Sequence, residues 1–335
     1  LVHMFLANAG VHAEKSSKYN VGIDAELFGK LHLSADAFID KRTDILTLDN
    51  SMMGYYGKNY YFDNIGKMTN KGVELSAVWN DQRANWGYSI NGSVSFNRNK
   101  IDYMAEVAPA YSYNAQTGRP YGTLIGLVAD GFYDVDDFNA DGSLKADLPQ
   151  PMFGAVQPGD IKYRDLDRSG FVDQNDVTKV GKSPYPEWTY SLGAAFNYRG
   201  FDFSFLLQGI AGASFNLLDN AVQTRAFVDN GNVYPIARGA WAYYPEQGID
   251  TRATATYPRL TTQSNENNYQ LSSFWVKSRN FMRVRNIEVG YNFRHHAKFR
   301  AAGISNFRIY LNVTNPFTVS KLMSDYDLDP ELLSY

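Results

Sequence analysis

The run DLDRSGFVDQND, residues 165–176, carries oxygen ligands at a spacing that suits a hard cation. Asp165, Asp167, Ser169, the backbone carbonyl of Phe171, Asp173 and Asp176 fall at loop positions 1, 3, 5, 7, 9 and 12. Gly170 supplies the sharp turn at position 6, and Val172 is an apolar anchor at position 8. An all-oxygen set suits Ca²⁺, whose flexible coordination tolerates Asp where a bidentate Glu is usual. A metal-free turn rich in Asx hydrogen bonds uses the same residues, and Ser at position 5 is a weaker ligand than Asp. The expected role of a bound Ca²⁺ is to stiffen a loop, not to do chemistry. A second run, DFNADGSLKAD (Asp137–Asp147), has acids or amides at positions 1, 3 and 5 and Gly142 at 6, but Leu148 at position 12. It reads as a turn.

Rings are the other candidate chemistry. Tyr55, Tyr56, Tyr60 and Tyr61, then Tyr111, Tyr113 and Tyr121, then Trp241, Tyr243 and Tyr244 cluster in segments without regular periodicity. Aromatic faces stack on sugar rings and Tyr hydroxyls hydrogen-bond them, so these residues are expected to touch substrate as a set. Each of them alone serves equally to pack one loop on another. The acids Asp24, Glu26, Asp36, Asp40 and Glu74 lie on alternating runs, where cross-strand pairing with Lys or Arg is expected rather than acid–base work. His295 and His296 are adjacent at a turn, and no H-E-x-x-H, G-x-S-x-G, P-loop or dinucleotide fingerprint is present. No enzyme is expected.

The elements that must position these groups are strands. NVGIDAELF from Asn20 places Val21, Ile23, Ala25 and Leu27 on one face. LHLSADAFID follows after a turn near Gly29, with Leu31, Leu33, Ala35, Ala37 and Ile39 alternating with His32, Ser34, Asp36, Phe38 and Asp40. KGVELSAVW and WGYSINGSVSFN form a second hairpin around Gln82; TYSLGAAFNY and FDFSFLLQ a third around Gly200. NIEVGYNF and FRIYLNVT make a looser fourth around Ala297. Long connections, about 43–70, 99–187 and 209–279, separate these hairpins, too long for structureless loops of a compact soluble domain. Short turns at one end and long loops at the other are the pattern of outer-membrane barrels, with aromatic residues gathered toward strand ends. A large soluble β-sandwich produces the same alternation with its apolar face turned inward.

The composition is compatible with both. A net charge of −3 gives no case for nucleic acid, and zero Cys excludes a disulfide framework. No run of 18 apolar residues marks a membrane helix, and LVHMFLANAG lacks the cationic start of a signal peptide.

Several phrases resemble the SusC/RagA-type TonB-dependent outer-membrane transporters: YNVGIDAELFGKLHLSADAFIDKRTDIL, NIGKMTNKGVELSAVW, QPGDIKYRDLDRSGFVDQNDVTKVGKSPYPEWTYSLG, YPRL, SFWVKSRNFMRVRNIEVGYNF and ISNFRIYLNVTNPFTVSKLMSDYDLDPEL. They occur in the family's order and span nearly all of the chain. The resemblance implies an all-β fold, the C-terminal part of a large antiparallel barrel of 22 strands in the family, with about eight of them within residues 1–335. The plug domain and TonB box, N-terminal in the family, have no counterpart in these residues, and the chain reads as incomplete at both ends. The connection 99–187 becomes a long extracellular loop holding the calcium-like run. The final NPFTVSKLMSDYDLDPELLSY becomes a terminal extracellular loop. The resemblance further implies a SusD-like surface lipoprotein, TonB, outer-membrane lipid, and an oligosaccharide or peptide substrate. Two alternatives stay open on the residues: a soluble or surface glycan-binding module stiffened by calcium, and a siderophore or cobalamin receptor.

Overall fold

A computed structural model describes residues 8–49, 62–220, 224–228, 231–293 and 297–331. Eight long strands form one antiparallel sheet whose order follows the chain. They are β1 (Lys15–Leu27), β2 (Leu31–Leu48), β3 (Phe62–Gln82), β4 (Trp86–Tyr103), β5 (Trp188–Tyr198), β6 (Phe201–Ala211), β7 (Phe281–Asn292) and β8 (Arg308–Ser320). No described helix is long and apolar enough to cross a membrane; the crossing elements are strands.

The register turns the alternation seen in sequence into two continuous faces. One row across all eight strands reads Leu27, Leu31, Trp79, Ile90, Ala194, Phe205, Ile287 and Val313. A row on the opposite face reads Asp24, Ser34, Ser76, Ser93, Ser191, Gln208, Arg283 and Thr318. Every residue of the first is apolar and every residue of the second polar. Near the short turns the apolar face becomes aromatic, with Trp86, Tyr198, Phe201 and Tyr291 side by side. This is an interfacial girdle. The apolar face is not covered by protein: Ile23 is 69% exposed and Leu311 69%. A sandwich would have buried it. Cross-strand pairing of acids with a cation occurs at Asp202 and Glu288, which share Arg308, whereas the acids of the first two strands take mostly short polar partners. Asp40 accepts from Ser16 Oγ at 2.6 Å and from Arg42 on its own strand, and Asp36 accepts from Asn20.

The strands outrun the alternating runs seen in sequence, and one boundary is corrected. The stretch beginning Asn315-Pro316 was expected to open a loop, yet β8 continues through it to Ser320. Asn315 takes a left-handed backbone (φ 51°) in a bulge opposite Arg285. The bulge absorbs the extra residues, so Phe317 and Val319 stay on the apolar face. Pro316, which has no N–H, is tolerated because β8 is an outer strand of this sheet. The chain then folds back over the polar face through a short helix, Lys321–Tyr326. Buried Arg283 holds Asp329 at 2.8 Å and also pairs with Glu331, while Arg279 donates to the Pro330 carbonyl at 2.8 Å.

The long connections are not structureless. Short strands pair within them: 124–126 with 178–181, 129–132 with 161–163, and 214–216 with 276–278. They enclose the main hydrophobic core, built from Leu127, Ile161, Tyr163, Val172, Phe215, Leu217, Tyr257 and Trp275. A bridge between Leu127 and Ser272, with the Leu127 amide donating to the Leu271 carbonyl at 2.9 Å, joins 104–187 and 212–280 into a packed layer at one end of the sheet.

Candidate functional site

The loop layer is organised around one buried carboxylate. Asp160 is fully buried, and its Oδ1 accepts from Arg259 Nε at 2.7 Å, Asn265 Nδ2 at 2.9 Å and Asn268 Nδ2 at 2.9 Å. Its Oδ2 accepts from the Gln157 backbone at 2.8 Å. Asn268 in turn accepts from the Ile161 amide, Asn267 donates to the Ile161 carbonyl, and the Tyr163 hydroxyl donates to the Asn267 carbonyl at 2.8 Å. A buried carboxylate is tolerable only when its lone pairs are satisfied and a cation pairs it, and both hold here. Burial pushes the Tyr163 and Tyr269 hydroxyls upward, so both stay neutral scaffold groups. Gly159, next to Asp160, takes a left-handed backbone (φ 88°), and a Cβ there would lie 2.5 Å from the Trp241 ring and 2.8 Å from Arg259 Cβ. Only glycine permits this closeness.

Apart from Trp241, none of these residues is singled out individually by the sequence. The signal was present, because Asp160 belongs to the PGD phrase, Arg259 to YPRL and Asn265, Asn267 and Asn268 to NENN. Nothing in one sequence says that segments about 100 residues apart share a carboxylate.

The calcium-like run is assembled in part. Carboxylate oxygens of Asp165, Asp167 and Asp176 lie within 4.8 Å of one another, and Asp176 is fully buried. Gly170 adopts the left-handed turn its position requires (φ 83°), and Val172 is buried as the anchor. Other members of the set have local partners. Asp173 caps the short helix 174–176 by accepting from the Asn175 amide at 2.6 Å, and the Ser169 hydroxyl lies 3.2 Å from the Phe171 carbonyl. Asp176 accepts from the amides of Leu166 and Asp173. The Asp167 carboxyl is held below its ordinary range, first by the Ser169 hydroxyl and also by Tyr111. Three converging carboxylates in this donor set fit a Ca²⁺ with carbonyl or water ligands completing the shell. The second run folds as the expected turn, with Gly142 left-handed and Asp141 accepting from the Ser143 amide at 2.9 Å.

The aromatic candidates separate into groups. Tyr55, Tyr56, Tyr60 and Tyr61 lie outside the described residues. Tyr111 and Tyr113 stack face to face at 5.1 Å between centroids, and the Asp167 carboxylate beside Tyr111 pushes its hydroxyl up, so this pair sits against the acidic loop. Tyr121 and Tyr244 are each 57% exposed. Tyr243 lies under the Arg252 guanidinium at 3.9 Å. Trp241 corrects the expectation of a stacking face: it is 8% exposed, its ring covered by Gly159 and the 257–259 segment.

The geometry defines a class first: the wall of an outer-membrane β-barrel, apolar toward lipid and polar toward a lumen, topped by an ordered loop layer. Residues 4–315 match the family model described as TonB dependent receptor-like, beta-barrel, and the chain belongs to that family. It is 26% identical over 98% of its length to TonB-dependent receptor SusC of Bacteroides thetaiotaomicron and 25% identical over 97% to TonB-dependent receptor P3 of Formosa agariphila. It covers 30% and 31% of those proteins. Among solved structures, the RagAB peptide importer in its open-open state superposes with a TM-score of 0.65 at 19% identity, over 97% of this chain and 33% of that one. The SusC/RagA-type resemblance of the motifs is thereby borne out, as is the outer-membrane location. The chain spans about a third of the length of these relatives.

Proposed function

We propose that this chain supplies barrel wall and substrate-facing loops to an active importer of oligosaccharides, working with a SusD-like surface lipoprotein and with TonB. The observation that carries this reading is the pairing of a two-faced sheet with an ordered loop layer at the end opposite the aromatic girdle. A passive pore needs the sheet but no such layer. Transport, not catalysis, is the activity this arrangement serves. Residues Tyr111, Tyr113, Tyr121 and Tyr244 are the rings best disposed to meet substrate. A Ca²⁺ at Asp165, Asp167 and Asp176 stiffens the loop that carries the Tyr111–Tyr113 stack, and it takes no part in translocation. A peptide substrate is the second reading, favoured by the RagAB neighbours being described as a peptide importer.

The test is purification of the native polypeptide carrying these residues from outer membranes in mild detergent. Co-purification of one SusD-type lipoprotein in equal amount, with loss of oligosaccharide uptake when either gene is deleted, is the expected result. A polypeptide that runs alone, and whose deletion leaves uptake intact, overturns the reading.

A further inference from the structure

A cleft of about 750 Å³ opens in the loop layer between residues 153–157 on one side and 259–266 on the other, with Phe227 at its rim. None of its lining residues belongs to the eight wall strands. Its size lies within the range of small-molecule sites. Both walls are tied to the same buried group: Asp160 accepts from the Gln157 amide on one wall and from Arg259 and Asn265 on the other. The spacing of the walls is therefore set in advance of any ligand, which lowers the ordering cost of binding.

The lining chemistry is selective. Gln157, Thr261, Thr262, Gln263 and Ser264 offer amides and hydroxyls. Of the two charges that reach the cleft, Arg259 is paired with Asp160 at 2.7 Å, while the Glu266 carboxylate accepts from the Ser264 hydroxyl at 3.2 Å and keeps its negative charge. A ligand carboxylate, on an acidic sugar or a peptide C-terminus, would therefore meet no uncommitted cation among these residues and one like charge. Two apolar groups are exposed beside these polar ones, Phe227 at 41% and Leu260 at 42%. Phe227 holds a left-handed backbone (φ 64°), a strained state for a bulky residue. Such strain persists where the surroundings impose it and is concentrated at ligand clamps.

We propose that this cleft is a subsite for a neutral sugar segment, two or more pyranose units long, with one ring face stacked on Phe227 and hydroxyls held by Gln157, Thr262, Gln263 and Ser264. A pyranose has an apolar C–H face and a hydroxyl rim, which matches one exposed aromatic face beside uncharged donors and acceptors. Asp160 is a positioning residue, because it touches the walls and not the ligand. The proposal rests on the oligosaccharide reading above and narrows it to uncharged sugar.

The test uses the native transporter in detergent and isothermal titration with three probes of five or six units: a neutral α-glucan, a neutral β-xylan fragment and a polygalacturonate fragment. A pentapeptide is the control. Two exposed positions are varied, Phe227→Ala to remove the ring and Ser264→Trp to fill the cleft, with Tyr185→Ala, at an exposed position that does not line the cleft, as a change outside it. The expected result is binding of at least one neutral probe, weakened tenfold or more by F227A and abolished by S264W, with Y185A changing it less than threefold. Circular dichroism and intact-loop proteolysis of each variant separate loss of site from loss of fold. Sugar binding that survives both cleft variants overturns the subsite while leaving the transporter reading standing. Binding of the pentapeptide in place of neutral sugar, lost in S264W, overturns the sugar class, and binding of the polygalacturonate in its place overturns the restriction to uncharged sugar. No binding by any probe overturns the proposal as well.

Discussion

The wall and the loop layer solve opposite problems with the same residue types. In the wall, large apolar side chains are exposed to the outside: Val21 is 74% exposed and Leu311 69%. In the loop layer, Trp275 and Ile161 are fully buried. A wall strand is held by ladder hydrogen bonds and by lipid, so its side chains need only alternate. A loop layer stands in water and must build its own core. It does so with long-range contacts, such as the Leu127 amide donating to the Leu271 carbonyl at 2.9 Å and Tyr163 reaching Asn267. Buried polar groups fix the pairing: Asp160 admits one set of partners, where an apolar core of the same size would tolerate several.

The sharpest way to break the comparison is at that carboxylate. Asp160→Ala leaves Arg259, Asn265 and Asn268 without their shared acceptor, and removing one partner of a buried pair costs about 3–5 kcal/mol. The loop layer is expected to become protease-sensitive while the barrel keeps its heat-resistant migration in detergent. Barrel collapse would show that the two regions fold as one.

The wall is probed at neighbouring residues. Leu192→Arg puts a cation on the lipid face in the middle of the row Ala77, Gly92, Leu192, Leu207. It should cost about 2–4 kcal/mol of unfolding free energy in phospholipid vesicles. Ser191→Arg, one residue along and facing the lumen, should cost under about 1 kcal/mol, since it forfeits only the Ser93 hydroxyl contact at 2.8 Å. Equal costs would remove the distinction between the two faces.

A smaller effect tests the acidic loop. A site of extracellular affinity, with Kd about 10⁻⁴–10⁻³ M, should stabilise the loop layer by about 1.4–2.7 kcal/mol in 10 mM calcium. The readout is protection of the 165–176 segment from proteolysis, expected to disappear with chelator or in Asp176→Asn. Protection indifferent to calcium would assign the run to the metal-free turn. The smallest change is Tyr111→Phe, which removes the hydroxyl beside the Asp167 carboxylate and should loosen residues 111–114 slightly while the acidic loop keeps its calcium-dependent protection. Hydrogen exchange at residues 111–114 reads it.

The same contrast explains what was legible in sequence. All eight wall strands and their pairing could be read, because lipid on one side and a wet lumen on the other impose a period of two on every strand. The misread boundary at Asn315 arose where a bulge interrupts that period without ending the strand. Within the layer, local signals were readable: Gly170 and Val172 take their expected places in the acidic loop, and Gly142 its turn. What could not be read was partnership at a distance. Trp241 looked like a ring offered to ligand, and it is covered because Gly159, some 80 residues earlier, lets the chain approach it. Asp160 and Arg259 stood in two recognisable phrases, but their bond depends on how two long loops pack.

The most direct test of the account is alternation of solvent access along one strand pair. This chain contains no Cys, so single cysteines report cleanly within it. Cysteine is placed in turn at Ser93, Ser191, Ala77 and Leu192 of the native polypeptide, and intact outer membranes are treated with a small, charged maleimide. The account expects rapid labelling at Ser93 and Ser191 and protection at Ala77 and Leu192, reversed by a lipid-soluble maleimide. Equal labelling at all four, or protection at the serines with access at Leu192, would contradict a wall whose apolar face meets lipid and whose polar face meets water.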